Sequence, residues 1–170
     1  MTTLPNDIDL SVPVGGFAFH VEISVPGVSD NPLCTGSFAD VSGLEATIEP
    51  KTIKVGGRNY GPLQRIGPVS FATVVLKRGM TDVRDLWSWW ALVTGAEGQR
   101  DGTYAPDLAR CDVSISLAGP DRTVLLTWQL RNAMPVKFKA GDLNARGTEV
   151  AIEELHFVHE GLSLAPGGGA

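Results

Sequence analysis

The sequence has few cysteines and few charged residues, and each shortage argues against a class of protein. Its two cysteines, Cys34 and Cys111, lie far apart and lack the close spacing of metal ligands, which indicates free thiols in a reducing compartment. Charged residues make up 19% of the chain and the net charge is -5. This acidic balance argues against a general affinity for nucleic acid.

Long hydrophobic runs are also missing. No stretch approaches the roughly 18 apolar residues of a membrane-spanning helix. The first residues, MTTLPNDIDL, lack the basic and apolar regions of a signal peptide. We therefore expect a protein that is made and folded in the cytoplasm and does not insert into membranes. Any role outside the cell would follow lysis or export by a specialised machine.

The chain lacks the short motifs that mark common enzymes. It has no G-x-S-x-G, P-loop, H-E-x-x-H or C-x-x-C sequence, and the glycines of GGRNYG fall at the wrong offsets for a dinucleotide-binding fingerprint. His156 and His159 could share a metal ion if they lay on a helix, whereas on a strand they would point to opposite faces. We therefore expect no catalytic residue, no cofactor and no metal site.

What the sequence does contain is turn-forming residues and alternating strands. With 20 glycines, 11 prolines and a hydrophobic fraction of 43%, its 170 residues are typical of one folded domain with many turns. Residues 16–26, 110–117 and 123–131 alternate apolar and polar side chains, and a connection of hairpin length joins the last two. The pattern predicts a mainly β fold, an antiparallel β-barrel or sandwich of about seven strands with one flanking α-helix.

The helix is predicted between Thr81, a residue type that favours the N-cap, and Gly95, and it follows a strand at residues 69–76 that is apolar on both faces. Trp89 and Leu92 fall outside the apolar stripe of this helix. Trp89 either belongs to a broad core face with one partly covered indole or is an anchor for a partner. The stripe itself consists of Val83, Leu86, Trp87, Trp90 and Thr94.

Residues 56–68, GGRNYGPLQRIGP, form the longest predicted loop. A loop of this length in a compact domain is usually functional or disordered. Its arginines and Tyr60 are residue types that often make contacts, which favours binding. Residues 148–162 fit either a helix or a strand with a bulge at Glu153-Glu154, and the preceding hairpin favours the strand. We expect a flexible arm at 1–15, one domain at 16–163 and a flexible tail at 164–170.

Six segments carry a resemblance to a known family. In chain order they are FHVEIS, FADVSGLEATIE, VGGRNYGP, LKRGMTDVRDLWSWW, TWQLRNAMPVKFKAGDLNA and VAIEELHFVHEGL. In this combination the chain resembles, over roughly residues 16–163, the tail tube proteins of contractile phages and the inner tube proteins of extracellular contractile injection systems. The resemblance implies a β-barrel of two packed sheets with an outer helix. It also implies hexameric rings that stack into a hollow tube inside a contractile sheath.

The resemblance implies several partners. They are other copies of the chain, the sheath protein, the baseplate or spike, the terminal tube proteins, and cargo in the lumen. The protein would then be a component of a phage tail or a phage-tail-like particle that lysis releases. It would be a structural protein and not an enzyme.

The resemblance further implies roles for three groups of residues. The long loop would bridge to neighbouring subunits through Gly56, Gly57, Arg58, Asn59, Tyr60, Leu63 and Arg65. The outer face of the helix would contact a loop, a neighbour or the sheath through Arg84, Asp85, Trp89 and Leu92. The polar strand positions that are candidates for lining the lumen are His20, Glu22, Ser24, Ser114, Ser116, Thr127 and Gln129.

Two other functions stay open at this point. A baseplate-proximal or terminal paralogue of the tube, acting as an adaptor, would share the resemblance and bind one defined partner. A small-ligand-binding barrel or a barrel enzyme would instead need a closed pocket with converging polar groups.

Overall fold

The computed structural model describes residues 18–25, 32–36, 38–96 and 110–167, which are mostly β-strand. Its elements are β1 (Ala18–Ser24), β2 (Cys34–Gly36), β3 (Asp40–Ser42), β4 (Ala46–Ile48), β5 (Lys51–Ile53), β6 (Leu63–Arg65), β7 (Val69–Phe71), β8 (Val74–Gly79), α1 (Asp85–Thr94), β9 (Cys111–Ala118), β10 (Val124–Lys139), β11 (Ile152–Val158) and β12 (Gly161–Pro166). The predicted mainly β fold is confirmed. The predicted arm at residues 1–15 lies outside the described residues. Nothing in the described ranges forms a helix long and apolar enough to cross a membrane.

One eight-stranded antiparallel sheet carries the fold, in the order β2-β1-β9-β10-β11-β8-β3, with β12 also pairing β10. Strand β10 is 16 residues long and belongs to both halves of this sheet. Its first part pairs with β9 and β12, and its last part, from Met134, pairs with β11. We call β2, β1, β9, β12 and the first part of β10 the β1 layer. The last part of β10 with β11, β8 and β3 is the β8 layer.

Both layers and the helix contribute to one hydrophobic core. The predicted alternation of β1 and β9 is confirmed, because Val21, Ile23, Val113 and Ile115 are buried while the residues between them are exposed or half-buried. Full burial of such a side chain stabilises the fold by roughly 1.5–3 kcal/mol. The β8 layer adds Val74, Leu76, Leu155 and Phe157 to this core, and α1 adds Leu86, Trp89 and Val93.

The helix begins later than predicted and presents a different face to the core. It starts at Asp85 with Arg84 as N-cap, and Thr81 precedes it. Trp89 is completely buried, whereas Val83, assigned to the buried stripe, is 54% exposed. The predicted stripe is therefore wrong. In the run LWSWWALV, apolar residues lie on most sides of the wheel, so spacing alone does not identify the buried face.

The predicted strand at residues 69–76 is two strands with different surroundings. Residues 69–71 form β7, which pairs with β4, and only from Val74 does the chain enter the large sheet as β8. Opposite this break, the chain leaves β3 at Gly43, which has a φ of 87°. A Cβ at Gly43 would lie 2.1 Å from the carbonyl oxygen of Thr73. Only glycine therefore allows the segments around residues 43 and 73 to approach this closely.

The strand predicted at residues 123–131 continues to Lys139 as β10 and contains an irregularity near Asn132. The register of β10 against β9 shifts between Leu130 and Ala133, and Asn132 takes a φ of 55°. Asparagine tolerates this left-handed conformation better than most residues. Its backbone N–H donates to Asp112 Oδ1 at 2.9 Å, which satisfies a group that the shift removes from the ladder.

The C-terminal segment is a strand, as predicted, but its irregularity and its end lie elsewhere. Glu153 and Glu154 are regularly paired with β8, so no bulge occurs there. The pairing is interrupted at residues 159–160, between β11 and β12. Strand β12 continues to Pro166, so the tail does not begin at residue 164.

Candidate assembly surfaces

One face of the β1 layer carries every residue that was predicted to line a lumen. His20 pairs with Ser116, which pairs with Thr127 on the next strand. In the neighbouring row, Glu22 pairs with Ser114, which pairs with Gln129. Ser24 completes β1 on the same side. Because side chains alternate along a strand, these groups all point away from the core, and we call this surface the polar face.

The polar face also carries Asp112 and Arg131, two charged residues that were not among the predicted lumen-facing positions. Asp112 is opposite Ser24, and Arg131 follows Thr127 and Gln129 in the same alternation along β10. These residues border a shallow pocket of about 200 Å³ on this face. The alternation of the predicted strand 123–131 already places Arg131 on the same side as Thr127 and Gln129. Small hydroxyl and amide groups otherwise dominate the surface.

The long predicted loop is a two-stranded arm, which we define as residues 45–71. Strands β4 and β7 form its base, and β5 and β6 form its outer part. Thr52 Oγ1 donates to Gln64 Oε1 across the outer pair at 3.1 Å. Every residue from 45 to 66 is exposed. The arm therefore extends away from the core instead of packing on it.

The arm exposes more apolar surface than an isolated ribbon normally carries. Tyr60 is 95% exposed and Ile66 82% exposed. A two-stranded hairpin on its own is only marginally stable in water. Large apolar side chains concentrated on one such segment indicate a surface that a partner covers. The other exposed members are Ile48, Ile53, Val55, Leu63 and Val69.

The residues predicted as an outer helix contact separate into two pairs. Arg84 and Leu92 are exposed, Leu92 by 46%. Trp89 and Asp85 point inward, so their predicted role as outward contacts is wrong. The Trp89 ring lies 5.9 Å from that of Phe157 in the core.

Asp85 belongs to a buried ion cluster that the sequence analysis missed. Arg78 Nε donates to Glu153 Oε1 at 2.5 Å, and the same guanidinium donates to both carboxylate oxygens of Asp85. Burial alone would raise the pKa of Asp85, but the hydrogen bonds and charge of Arg78 outweigh it and hold that pKa below its usual value. Alternation with Val74 and Leu76 on β8 was the sequence signal for an inward Arg78.

His159 connects the body to the base of the arm. Its ring lies 4.9 Å from that of Phe71, the last residue of β7. His159 is buried, and desolvation lowers its pKa although Nδ1 lies within hydrogen-bonding distance of the carbonyl of Gly161. Nε2 has no hydrogen-bond partner in the part of the chain that the structure describes.

The thiols and the acidic residues of the described ranges form no reactive cluster. Burial raises the pKa of Cys34 and of Cys111 to about 12 in each case, so both thiols stay protonated at neutral pH. No group of three or more His, Cys, Asp or Glu residues in these ranges is placed to hold a metal ion.

Comparison with known proteins identifies the class of protein to which this fold and its projecting arm belong. The model of the family described as T4-like virus tail tube protein gp19 matches residues 15–163. The chain therefore belongs to this family of structural tube proteins, and the predicted resemblance is confirmed.

Solved structures of contractile particles contain similar chains. A chain in the anti-feeding prophage baseplate is 25% identical, with a TM-score of 0.73 over 92% of this chain and 98% of the other. A chain in the sheath-tube complex of PVC, an extracellular contractile injection system, is 20% identical, with a TM-score of 0.69 over 97% and 99%. Hcp1 from Flavobacterium johnsoniae shares the fold at 16% identity, with a TM-score of 0.51 over 86% and 95%. Comparison with curated protein sequences finds no match.

Proposed function

We propose that this protein is the subunit of an inner tube, that six copies close into a ring, and that the rings stack inside a contractile sheath. The observation that carries the proposal is the exposed arm. A ribbon with this much apolar surface, which contacts its own body only at its base, needs neighbouring copies to cover it. Membership of the tail tube family supports other copies of the same chain as those neighbours.

Ring closure would use the free edges of the β1 layer. In the described residues, β2 pairs only with β1, and β12 pairs only with β10. Each edge strand exposes unpaired backbone groups, which in a ring would pair with the opposite edge of the next copy. Such a head-to-tail contact closes into a ring when its rotation divides a full circle.

The polar face would then line the lumen. Closing the β1 layers of successive copies into one barrel leaves each layer a core side and an opposite side. The opposite side carries His20, Glu22, Ser116 and Gln129, which water and passing cargo would contact. The sheath would contact the helix side of the body through Arg84 and Leu92. The part played would be structural and not catalytic.

A second candidate function is a baseplate-proximal or terminal tube paralogue. It is favoured by similarity to a chain in the baseplate structure of the anti-feeding prophage and to one in its tube-terminating cap. A main tube protein forms stacks of open-ended length, whereas a terminal paralogue stops after a fixed number of rings. In either case the chain would be made in the cytoplasm and leave the cell with its particle at lysis.

Imaging of the assembled protein tests the proposal. The full chain, expressed with its neighbouring genes and viewed by negative-stain microscopy, should form hollow tubes of six-fold symmetry. Replacing residues 50–67 by Asn-Gly closes the base of the arm with a two-residue turn, and this variant should keep its folded body but form no tubes. A strictly monomeric parent chain would overturn the proposed function. Normal tubes from the shortened variant would show that the arm is dispensable.

A further inference from the structure

His159 lies where the sheet passes from the β8 layer to the β1 layer. It is the first residue after β11, and it continues the buried alternation of Leu155 and Phe157 on the core side. Only 7% of the residue is exposed. Its Nδ1 lies 3.0 Å from the carbonyl oxygen of Gly161, which can only accept a hydrogen bond, so Nδ1 carries the proton of the neutral ring. The lone pair of Nε2 is then left without a donor within the described residues.

The arm covers the His159 ring. The ring of Phe71, the last residue of β7, lies 4.9 Å from it between centroids and is inclined by 40°. Because Phe71 pairs with Ala46 on β4, this one contact touches the ladder that joins both strands at the base of the arm. Residues 45–66 are all exposed. The packing of Phe71 on His159 therefore anchors the arm to the body.

Within the described residues, no carboxylate pairs with the His159 ring. The other charged residue on the core side of β11 is Glu153, which pairs with Arg78. It lies six residues away, or about 20 Å along the strand at 3.3–3.4 Å for each residue. Glu160, next to His159, is exposed and pairs with Arg110 Nη1 at 2.9 Å. A positive charge on the buried ring would therefore have no counter-ion at hand.

The adjoining elements add no compensating charge on the core side. Glu45 is exposed at the start of the arm. The thiol of Cys111 stays protonated, because burial raises its pKa to about 12. Asp112 and Arg131 lie on the polar face, on the other side of the sheet. Desolvation therefore lowers the pKa of His159 below its usual value of 6.5, and the ring is neutral at neutral pH.

A second proton would disturb the surroundings of the ring. Nε2 would become a buried donor without an acceptor, and the charge would lie in a desolvated site. Turning the ring into water removes both costs, but it withdraws the surface on which Phe71 packs. The neutral ring thus favours an anchored arm and the charged ring favours a released one. Protonation shifts the balance between these two states.

We propose that His159 is a pH-sensitive latch for the arm: the neutral ring holds Phe71 and the base of the arm on the body, and the protonated ring releases them. The folded-state pKa of His159 lies below the usual 6.5, so the stability that the neutral ring contributes is present above that pH. It is lost as the pH falls through the folded-state pKa. The latch belongs to a single copy of the chain and does not require that a tube forms.

The titration of the ring is measured first. Nuclear magnetic resonance of the full chain, kept dilute and unassembled, follows the rings of its three histidines as the pH is lowered. The signal that disappears in His159→Asn belongs to His159. It should titrate below pH 6.5, because the site is desolvated. Titration at or above that pH would overturn the latch.

The position of the arm is measured on the same unassembled chain. Spin labels on Tyr60→Cys at the arm tip and Arg122→Cys in the β9–β10 turn report the distance between arm and body, since both sites are exposed and the natural thiols are buried. At neutral pH the distance distribution should be narrow. Below the pH at which His159 titrates, it should broaden and its mean should shift, because the released arm takes up several orientations.

Substitution identifies the group responsible. His159→Phe keeps a ring against Phe71, and His159→Asn keeps a short neutral polar side chain, but neither can gain a proton. Both labelled variants should retain the narrow distribution at every pH above the onset of global unfolding. His156→Gln is the matched control, because His156 lies on the opposite face of β11, and it should respond to acid as the parent does.

The outcomes separate the latch from the tube function. A distribution that stays narrow while His159 titrates overturns the latch. Equal broadening in the parent, His159→Phe and His159→Asn also overturns it, because another group would then release the arm. A parent chain that forms no tubes, but whose arm follows the titration of His159, overturns the tube function and leaves the latch standing.

Discussion

The body and the arm are both built from antiparallel strands, but they obtain their stability differently. In the body, alternate residues of β1, β8, β9 and β11 are buried, and Val21, Leu76 and Phe157 are fully inaccessible. In the arm, four short strands form two ladders, and none of their residues is buried. Hydrogen-bonded pairing is thus common to both regions, while burial is confined to one. The comparison shows that the ladder alone does not account for the fold.

This difference explains why the two regions should respond separately to mutation. A buried side chain contributes through the surface it removes from water. An exposed apolar side chain contributes little until a partner covers it. Substitutions in the body should therefore change folding, and substitutions in the arm should change assembly.

The largest expected effect is that of Trp89→Ala. Removal of this fully buried indole should lower the free energy of unfolding by about 3–5 kcal/mol, as is typical of large-to-small core substitutions. Tyr60→Ala in the arm, which also removes an aromatic ring, should change it by less than about 0.5 kcal/mol. Urea unfolding of unassembled protein measures both. Equal losses would remove the distinction between body and arm.

Replacement of Arg78 by methionine should have the next largest effect. Asp85 and Glu153 would be left buried without their cation, and breaking a buried ion pair on one side typically costs about 3–5 kcal/mol. Restoring neutrality with Asp85→Asn and Glu153→Gln should recover part of that loss. Arg58→Met is the matched control in the arm. If the Arg78→Met variant had the same melting temperature as the parent, the assigned role of the cluster would be contradicted.

Gly43→Ala tests the junction between the two regions and should have an intermediate effect. The new methyl group would meet the carbonyl of Thr73 in a backbone conformation that disfavours side chains. Strain of this kind costs of order 1–3 kcal/mol, and it should alter the angle of the arm and weaken assembly. Gly36→Ala, whose methyl group meets nothing within 4 Å, is the control. Unchanged stability and unchanged tubes would show that the junction adapts freely.

Acidification should produce the smallest effect on the free energy of unfolding. The pKa of Asp85 lies below its usual value of 3.8 in the folded state because Arg78 outweighs the effect of burial. The associated stability is therefore present above that pH and is lost as the pH falls through the folded-state pKa. Unfolding midpoints measured from neutral pH down to about pH 3 should fall less steeply for Asp85→Asn than for the parent. Identical slopes would mean that other groups cause the acid sensitivity.

The sequence predicted the parts of the fold in which one periodicity dominates. Strands β1 and β9 alternate without interruption, so both the strands and their polar sides were predictable. The buried face of the helix was not predictable. LWSWW places tryptophans around most of the helix, and only packing against the two layers of the sheet determines which ring enters the core. Arg78 was missed for a related reason. Its burial depends on Asp85 and Glu153, which reach it from other elements and are not neighbours in sequence.

The excursion at residues 56–68 was predicted from its glycines and prolines, but the arm extends beyond it in both directions and the pairing of its strands was not predicted. Residues 51–53 and 63–65 are too short to show a period, and nothing in the sequence indicates which three-residue segments pair. The polar face could be assigned strand by strand. Its residues form continuous rows only because of the register between the strands. Turns and bulges that are distant in sequence determine this register.

The paired strands β1 and β9 are synthesised at different times. Val21 is aligned with Ile115, so β1 leaves the ribosome about 90 residues before its partner, an interval of several seconds at typical elongation rates. The arm emerges during that interval, while the sheet beside it is still incomplete. The β1 layer is finished only when β12, near the end of the chain, has been released. A nascent chain that has not yet released β12 therefore lacks one of the two edges of the β1 layer, and under the proposed tube function it would not yet join a ring.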